Sequence, residues 1–183
     1  MIAAARRTLV LGGTRSGKSR HAEDLLPADA PVRYAATARP VDGDAEWAQR
    51  IAAHRARRPG GWTTVEGVDV AAQVRATAAD TPPLLVDDLA TWLTAVLDDA
   101  GAWDRAGTGA PAEVGARVSE LVDAVRSCRG RVVLVSAEVG LGVVPATRAG
   151  RLFRDELGAL NALLAAECDD VLLLVAGLPL RLK

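Results

Sequence analysis

The chain has little lysine, few aromatic residues and no long apolar run. Aromatic residues make up 3% of its 183 residues, and the formal net charge is −1. It therefore lacks both the stacking platforms and the excess of basic charge that are typical of nucleic-acid-binding proteins. No apolar run reaches the roughly 18 residues of a membrane-spanning helix, and the first residues lack the apolar core of a signal peptide. We therefore expect a cytoplasmic protein with no membrane span and no nucleic-acid partner.

Cysteine is also scarce. Cys128 and Cys168 stand alone in the sequence, without the spacing of metal ligands, so we expect neither a disulfide nor a zinc site. Half of the residues are hydrophobic, and the bulk of these are Ala, Val and Leu. A chain of this length can bury one substantial hydrophobic core, but it is too short for two domains that each have such a core. We predict a single domain over residues 1–183.

Short apolar runs recur along the chain, with helix-compatible stretches between them. The runs are Thr8–Leu11, Val32–Ala36, Leu84–Val86, Val132–Val135 and Val171–Val175. This alternation predicts an α/β fold in which a mostly parallel sheet is flanked by helices. Because ligands of such sheets bind at the carboxyl ends of the strands, we expect functional residues directly after them.

One of the two lysines lies in a glycine-rich segment between the first predicted strand and a predicted helix over Ser19–Leu26. The segment Gly12-Gly13-Thr14-Arg15-Ser16-Gly17-Lys18-Ser19 fits the phosphate-binding pattern G-x-x-x-x-G-K-[ST]. Its glycines let successive backbone N–H groups point at phosphate oxygens beside a helix N-terminus. Lys18 adds a compact ammonium group, and Ser19 can supply a hydroxyl to Mg²⁺. The sequence therefore predicts a P-loop NTPase fold with a nucleoside triphosphate site.

The predicted strand Leu84–Val86 ends in two carboxylates, Asp87 and Asp88. An acid at a strand end is where a P-loop enzyme orients Mg²⁺ and its waters. We predict that Asp87 does so together with Ser19. Aspartate is also a favoured N-cap, so the alternative is that this pair only caps the helix that begins near Leu89.

A histidine lies in a basic segment, Asp44–Arg58, that we predict to be helical. Trp47, Ile51 and His54 recur at helical spacing, so the imidazole shares a face with apolar side chains. The arginines of this segment are Arg50, Arg55, Arg57 and Arg58. Guanidinium groups disfavour the protonated imidazole and attract a triphosphate, which suits a nucleophilic histidine. The alternative is a solvated basic helix with an incidental histidine.

Several further blocks accompany the phosphate-binding segment. They are Tyr34-Ala35-Ala36-Thr37, Arg50-Ile51-x-x-His54-x-x-x-Arg58-Pro59-x-x-Trp62-x-Thr64-x-Glu66, Leu84-Leu85-Val86-Asp87, Trp92-Leu93-Thr94, Glu138-Val139-Gly140-Leu141-Gly142-Val143-Val144-Pro145, Phe153-Arg154-Asp155 and Gly177-Leu178-Pro179-Leu180. In these blocks the sequence resembles the bifunctional adenosylcobinamide kinase / adenosylcobinamide-phosphate guanylyltransferase family. The resemblance covers essentially the whole chain, and the histidine block is far more specific than the glycine-rich loop.

This resemblance implies a fold, two reactions and a site. The fold is RecA-like, and the chains assemble as cyclic oligomers, trimers in the family. One reaction phosphorylates the aminopropanol hydroxyl of adenosylcobinamide with ATP or GTP and Mg²⁺. In the other, a histidine, by position His54, attacks the α-phosphorus of GTP, releases pyrophosphate and carries GMP to adenosylcobinamide phosphate. The implied nucleotide contacts are Gly12 to Ser19, Thr37, Ala38, Arg39, Arg55, Ala56, Arg57, Arg58, Glu66 and Asp87.

The chain departs from the family's pattern at three positions. Ala95 and Ala137 stand where many relatives have Asn, and Ala162 stands where many have Gln. Two other functions remain as alternatives: a small-molecule kinase that forms no covalent intermediate, and a RecA-like ATPase that depends on nucleic acid. The near-neutral charge and the few aromatic residues disfavour the second of these.

Overall fold

The computed structural model describes residues 5–39, 49, 52, 55–56, 58–67, 69–105, 107 and 109–183. The strands in these ranges are β1 Arg7–Gly12, β2 Val32–Ala36, β3 Trp62–Glu66, β4 Leu84–Asp87, β5 Val132–Ala137, β6 Asp170–Val175 and β7 Leu178–Arg181. The continuous helices are α1 Lys18–Asp24, α2 Val70–Arg75, α3 Leu89–Asp99, α4 Ala112–Ser127 and α5 Arg148–Glu167. None of the described helices is long and apolar enough to cross a membrane.

All seven strands form one sheet, in the order β3-β2-β4-β5-β1-β6-β7. Every neighbouring pair is parallel except β6 and β7, which form an antiparallel hairpin at one edge. The predicted α/β fold with a mostly parallel sheet flanked by helices is therefore confirmed. The strand β5 lies between β1, which leads into the glycine-rich loop, and β4, which ends at Asp87.

The central strands β1, β4 and β5 are buried on both faces, which explains why they are continuous apolar runs and not alternating ones. Leu9 and Leu11 of β1 pack in a large core cluster with residues of α2, α3, α4 and α5. Val10, on the opposite face, packs in a smaller cluster with Ala22 of α1 and with Leu26. Burial of each such aliphatic side chain contributes about 1.5–3 kcal/mol.

Three helices begin at a side chain that accepts a hydrogen bond from a backbone amide of the first turn. Asp69 caps α2 at 3.1 Å, Asp88 caps α3 at 2.9 Å and Thr147 caps α5 at 3.1 Å. The helix α1 begins instead at Gly17, which has no side chain to cap it. Its first amides are therefore left without a side-chain cap in the place where the sequence predicts a phosphate.

All five predicted strands are present, and each observed strand matches its prediction or extends it by up to two residues. The predicted helix over residues 19–26 is observed as Lys18–Asp24. Most of the predicted helix over residues 44–58 lies outside the described residues, but residues 49, 52, 55 and 56 are described and are helical. The strands β3 and β7 were not predicted, and the helices α2, α4 and α5 were predicted only as helix-compatible stretches between strands, without bounds.

Candidate active site

The glycine-rich loop turns sharply between the end of β1 and the start of α1. Gly17 has a φ of 90°, in the left-handed region that favours glycine, and Arg15 has a φ of 58°. A Cβ atom on Gly12 would lie 2.9 Å from the carbonyl oxygen of Leu174 in β6, so this position also requires glycine. The sequence pattern of the loop thus follows from its backbone.

The loop is held by its neighbours on both sides. The backbone N–H of Gly177, in the turn between β6 and β7, donates to the carbonyl oxygen of Ser16 at 3.0 Å. Lys18 Nζ lies 3.5 Å from the carbonyl oxygen of Gly13, so its ammonium group folds back over the loop. The hydroxyl of Ser16 is buried and has no hydrogen-bond partner among the described residues. An oxygen atom of a bound phosphate would give that hydroxyl an acceptor.

Asp87 joins the loop to the neighbouring strands. Ser19 Oγ donates to Asp87 Oδ1 at 3.1 Å, and the hydroxyl of Tyr34 donates to Asp87 Oδ2. Burial and the adjacent carboxylate of Asp87 raise the pKa of the Tyr34 phenol, so it keeps its proton. The hydroxyl of Ser19 and the carboxylate of Asp87 are hard oxygen ligands at the mouth of a phosphate loop, which fits Mg²⁺. No group of three or more His, Cys, Asp or Glu residues able to hold a metal occurs in the described ranges.

Asp88, the residue after β4, caps α3. Its carboxylate accepts from the backbone N–H of Thr91 at 2.9 Å, and burial together with Asp87 raises its pKa above the usual value. Thr37, at the carboxyl end of β2, donates to the carbonyl oxygen of Asp88 at 2.6 Å and contacts the hydroxyl of Thr91 at 2.5 Å. Thr37 thus lies beside both aspartates, at the same edge of the sheet as the loop.

Outside the glycine-rich loop, the described arginines that the resemblance predicts are engaged in ion pairs or stacking. Arg39 forms a bidentate ion pair with Asp99, at 2.8 and 2.7 Å, and Arg55 pairs with Glu66. The guanidinium of Arg58 stacks over the ring of Tyr34, with its Cζ 3.6 Å from the ring centroid. Ala38 is half-buried and Ala56 is exposed. His54 and Arg57 lie outside the described residues.

The contact of Tyr34 with Asp87 was not predicted from the residues, although the sequence contains a signal for it. Tyr34 is the only tyrosine of the chain and lies in an apolar run. A buried tyrosine needs a partner for its hydroxyl, but the sequence does not reveal which strand supplies it. The parallel register places Ala36 of β2 beside Asp87 of β4, which brings the partner within reach of a residue two positions earlier on β2.

The three departures from the family's pattern lie in two places. Ala95 is buried in α3. Ala137 ends β5, where its carbonyl oxygen accepts from Asn161 Nδ2 at 3.0 Å. Ala162 lines a cavity of about 350 Å³, together with Asn161 and Glu138. Two of the three departures therefore surround the same asparagine of α5.

A glycine-rich loop between a parallel strand and a helix, with a serine and a strand-end aspartate beside it, defines a P-loop nucleotide-binding protein. Comparison with known sequences also identifies the family of this chain. The chain belongs to the cobinamide kinase / cobinamide phosphate guanyltransferase family, whose sequence profile matches residues 8–182. The resemblance seen in the sequence motifs is thereby confirmed, and the family is one of transferases.

Curated relatives match the chain over nearly their whole length. The bifunctional adenosylcobalamin biosynthesis protein CobP of Pseudomonas aeruginosa is 43% identical, with 97% of each chain covered. The corresponding CobU proteins of Escherichia coli and Salmonella typhimurium are 38% and 39% identical, with 96% of this chain and 98% of theirs covered. Among solved structures, the P4 protein of bacteriophage phi6 in complex with ADP has a TM-score of 0.46 and 16% identity, with 96% of this chain and 54% of that chain covered.

Proposed function

We propose that this chain phosphorylates adenosylcobinamide with ATP or GTP, and then transfers GMP from GTP to adenosylcobinamide phosphate through a guanylylated His54. The observation that carries the proposal is the arrangement of the glycine-rich loop, Ser19 and Asp87 in a member of a kinase and guanyltransferase family. We further propose that the enzyme works in the cytoplasm, where both nucleotides are available, and that it needs no nucleic acid.

The loop binds the triphosphate. Backbone amides at the start of α1 would donate to the phosphate oxygens, and the Lys18 ammonium adds a positive charge that can move from the Gly13 carbonyl to a phosphate. The buried hydroxyl of Ser16 gains an acceptor when an anion is present. Each contact favours a bound anion, so nucleotide binding stabilises the loop.

Ser19 and Asp87 would hold Mg²⁺ beside the terminal phosphates. The ion neutralises phosphate charge and makes the terminal phosphorus more electrophilic. In the kinase reaction the acceptor hydroxyl attacks the γ-phosphorus, its proton is lost, and the nucleoside diphosphate leaves with the bonding electron pair. This step requires in-line positioning more than covalent chemistry.

In the second reaction the neutral imidazole of His54 attacks the α-phosphorus of GTP, and pyrophosphate leaves. The phosphoryl oxygen of adenosylcobinamide phosphate then attacks the same phosphorus, and the imidazole leaves, which forms the diphosphate bond. A covalent intermediate divides one difficult displacement into two easier ones. The support in the structure is that Arg58, four residues after His54, stacks on Tyr34, whose hydroxyl touches Asp87. The histidine segment therefore ends beside the phosphate site.

The intermediate is tested by incubating the protein with Mg²⁺ and GTP labelled on either the α- or the γ-phosphate. We expect acid-labile protein label from the α-label and none from the γ-label. His54→Ala should abolish labelling and guanylyl transfer while it leaves phosphorylation of adenosylcobinamide measurable. The other histidine, His21, is the matched control, and His21→Ala should label like the wild type. Label that persists in His54→Ala would overturn the assignment, and a wild type that never labels would favour a simple kinase.

A further inference from the structure

The single tyrosine of the chain has no role in the reactions above, yet it touches their metal site. Tyr34 is 1% exposed on β2, and its hydroxyl donates to Asp87 Oδ2. Ser19 Oγ donates to the other oxygen, Asp87 Oδ1, at 3.1 Å. Hydroxyl groups from β2 and α1 thus hold both oxygens of a carboxylate on β4. Hydrogen bonds to both oxygens restrict rotation of the carboxylate plane. Packing of the tyrosine ring alone would not restrict it.

The ring that carries this hydroxyl is itself held firmly. The Arg58 guanidinium lies over it, 3.6 Å from Cζ to the ring centroid, and Arg58 Nη1 donates to Thr64 Oγ1 at 2.8 Å. The indole of Trp62 lies beside the ring, at 6.3 Å between centroids, and donates to the carbonyl oxygen of Pro27 at 3.1 Å. Because these neighbours have partners of their own, they limit the movement of the phenol.

We propose that Tyr34 is a positioning residue for the metal-holding carboxylate. Its hydroxyl fixes the plane of Asp87 so that the oxygen beside Ser19 faces the Mg²⁺ of a bound Mg–nucleotide. Residues that orient a metal ligand by a hydrogen bond commonly change metal affinity when they are removed. The inference rests on the proposed role of Asp87. It adds that Arg58 connects the segment following His54 to the same carboxylate through the Tyr34 ring.

The test is Tyr34→Phe, which keeps the ring and its stacking and removes only the hydroxyl. GTP binding is measured by calorimetry over a range of Mg²⁺ concentrations, starting from EDTA. We expect the Mg²⁺ concentration for half-maximal enhancement of GTP binding to rise about 10-fold, while the affinity for GTP in EDTA is unchanged. The matched control is Ser136→Ala, which removes another buried hydroxyl, a donor to Asn161 Oδ1 at 2.6 Å. It should leave the Mg²⁺ dependence as in the wild type.

A Tyr34→Phe variant with the Mg²⁺ dependence of the wild type would overturn the inference. So would equal shifts in Tyr34→Phe and Ser136→Ala, because these would indicate a general loss of packing. Asp87→Asn separates this result from a failure of the proposed function. If Asp87→Asn changes the Mg²⁺ dependence and Tyr34→Phe does not, only the positioning role is wrong. If neither changes it, the proposed role of Asp87 is wrong as well.

Discussion

Asp87 and Asp88 are adjacent, yet the fold gives them different surroundings. Asp87 ends β4 and accepts from hydroxyls of β2 and α1, whereas Asp88 leaves the strand and caps α3. Burial and its neighbour raise the pKa of the Asp88 carboxyl, so a second full charge beside Asp87 is disfavoured. Asp88 is therefore the helix cap, and Asp87, which the sequence predicts to orient Mg²⁺, is the one that contacts Ser19 of the glycine-rich segment.

The cysteines provide a test at the scale of single residues. Cys128 and Cys168 are free and buried, and burial raises the pKa of the Cys168 thiol to about 12. Since the thiolate is the reactive form, we expect both thiols to resist a disulfide reagent at pH 8 in the folded protein and to react at once in denaturant. Thiol titration with and without guanidinium measures this. A thiol that reacts in the native protein at the rate of a free cysteine would contradict the burial.

The raised pKa also predicts how stability changes with pH. The unfolded chain has an ordinary thiol pKa, so it loses the proton of Cys168 at a lower pH than the folded chain does. The stabilisation linked to this thiol is complete below about pH 8.5 and declines as the pH rises towards 12. The free energy of unfolding of the wild type minus that of Cys168→Ala should therefore be about 2 kcal/mol smaller at pH 10 than at pH 8, as measured by urea unfolding. A constant difference would contradict this.

At the scale of elements, the hairpin of β6 and β7 supports the glycine-rich loop. The two residues of its turn, Ala176 and Gly177, have φ values of 52° and 82°; a two-residue type I′ hairpin turn requires positive φ at both positions. The turn aims the N–H of Gly177 at the carbonyl oxygen of Ser16, and β6 places Leu174 against Gly12. The hairpin therefore contacts the loop at two points, Gly12 and Ser16.

Gly177→Ala tests this support. No atom lies within 4 Å of the added Cβ, so the effect is that of the positive φ alone, about 1 kcal/mol. We expect Tm to fall by about 2–4 °C and the Kd for GTP to rise a few-fold, because the N–H moves away from Ser16. Thermal unfolding and calorimetric titration measure the two effects. The control is Gly115→Ala on the exposed side of α4, which should raise Tm without affecting binding. A lower Tm with unchanged GTP affinity would show that the turn does not support the loop.

The sequence predicts an element when the residues that determine it are close together in the chain, and fails when contacts with distant residues determine it. The strand before the loop and the start of α1 were predicted because glycine, lysine and serine act within eight residues of one another. The strand β3 was not predicted, because Trp62–Glu66 is no continuous apolar run, although Trp, Thr and Val favour strands; it lies at the edge of the sheet and pairs with β2. The segment between α3 and α4 has no apolar run, yet Ala102 in it is fully buried, and Arg148 of α5 donates to the carbonyl oxygens of Ala102 and Trp103. Contacts between residues so distant in the sequence can be identified only from the folded structure.

For the molecule as a whole, strand order decides which residues form the site. The adjacent strands β2 and β4 bring Thr37 beside Asp88 and Tyr34 beside Asp87, while α1 brings Ser19 to Asp87. None of these pairs is close in sequence, and the order of strands in a sheet cannot be read from apolar runs. The sequence thus predicts individual residues of the site, and the strand order determines which of them are in contact.

The outer face of the hairpin predicts how whole chains associate. Four exposed apolar side chains of the hairpin and of the residue after it form what we call the edge face. They are Val175, Leu178, Leu180 and Leu182. The leucines alternate along β7 and therefore lie on one side of it. Pro179 has no N–H to offer at this sheet edge, which disfavours addition of another strand and leaves side-chain packing as the means of contact. An exposed apolar face of this kind is typical of a surface that another protein covers.

We expect the edge face to be buried between copies of this chain in the trimer that the family resemblance implies. Light scattering coupled to gel filtration should give about three times the 19.1 kDa of one chain for the wild type. The double variant Leu178→Glu, Leu180→Glu should give the mass of one chain, because charges on this face cannot be desolvated against a second copy. Leu163→Glu, at a half-exposed leucine of α5, is the control and should keep the mass of the wild type. A double variant that stays trimeric would place the contact elsewhere, and a monomeric wild type would exclude the trimer itself.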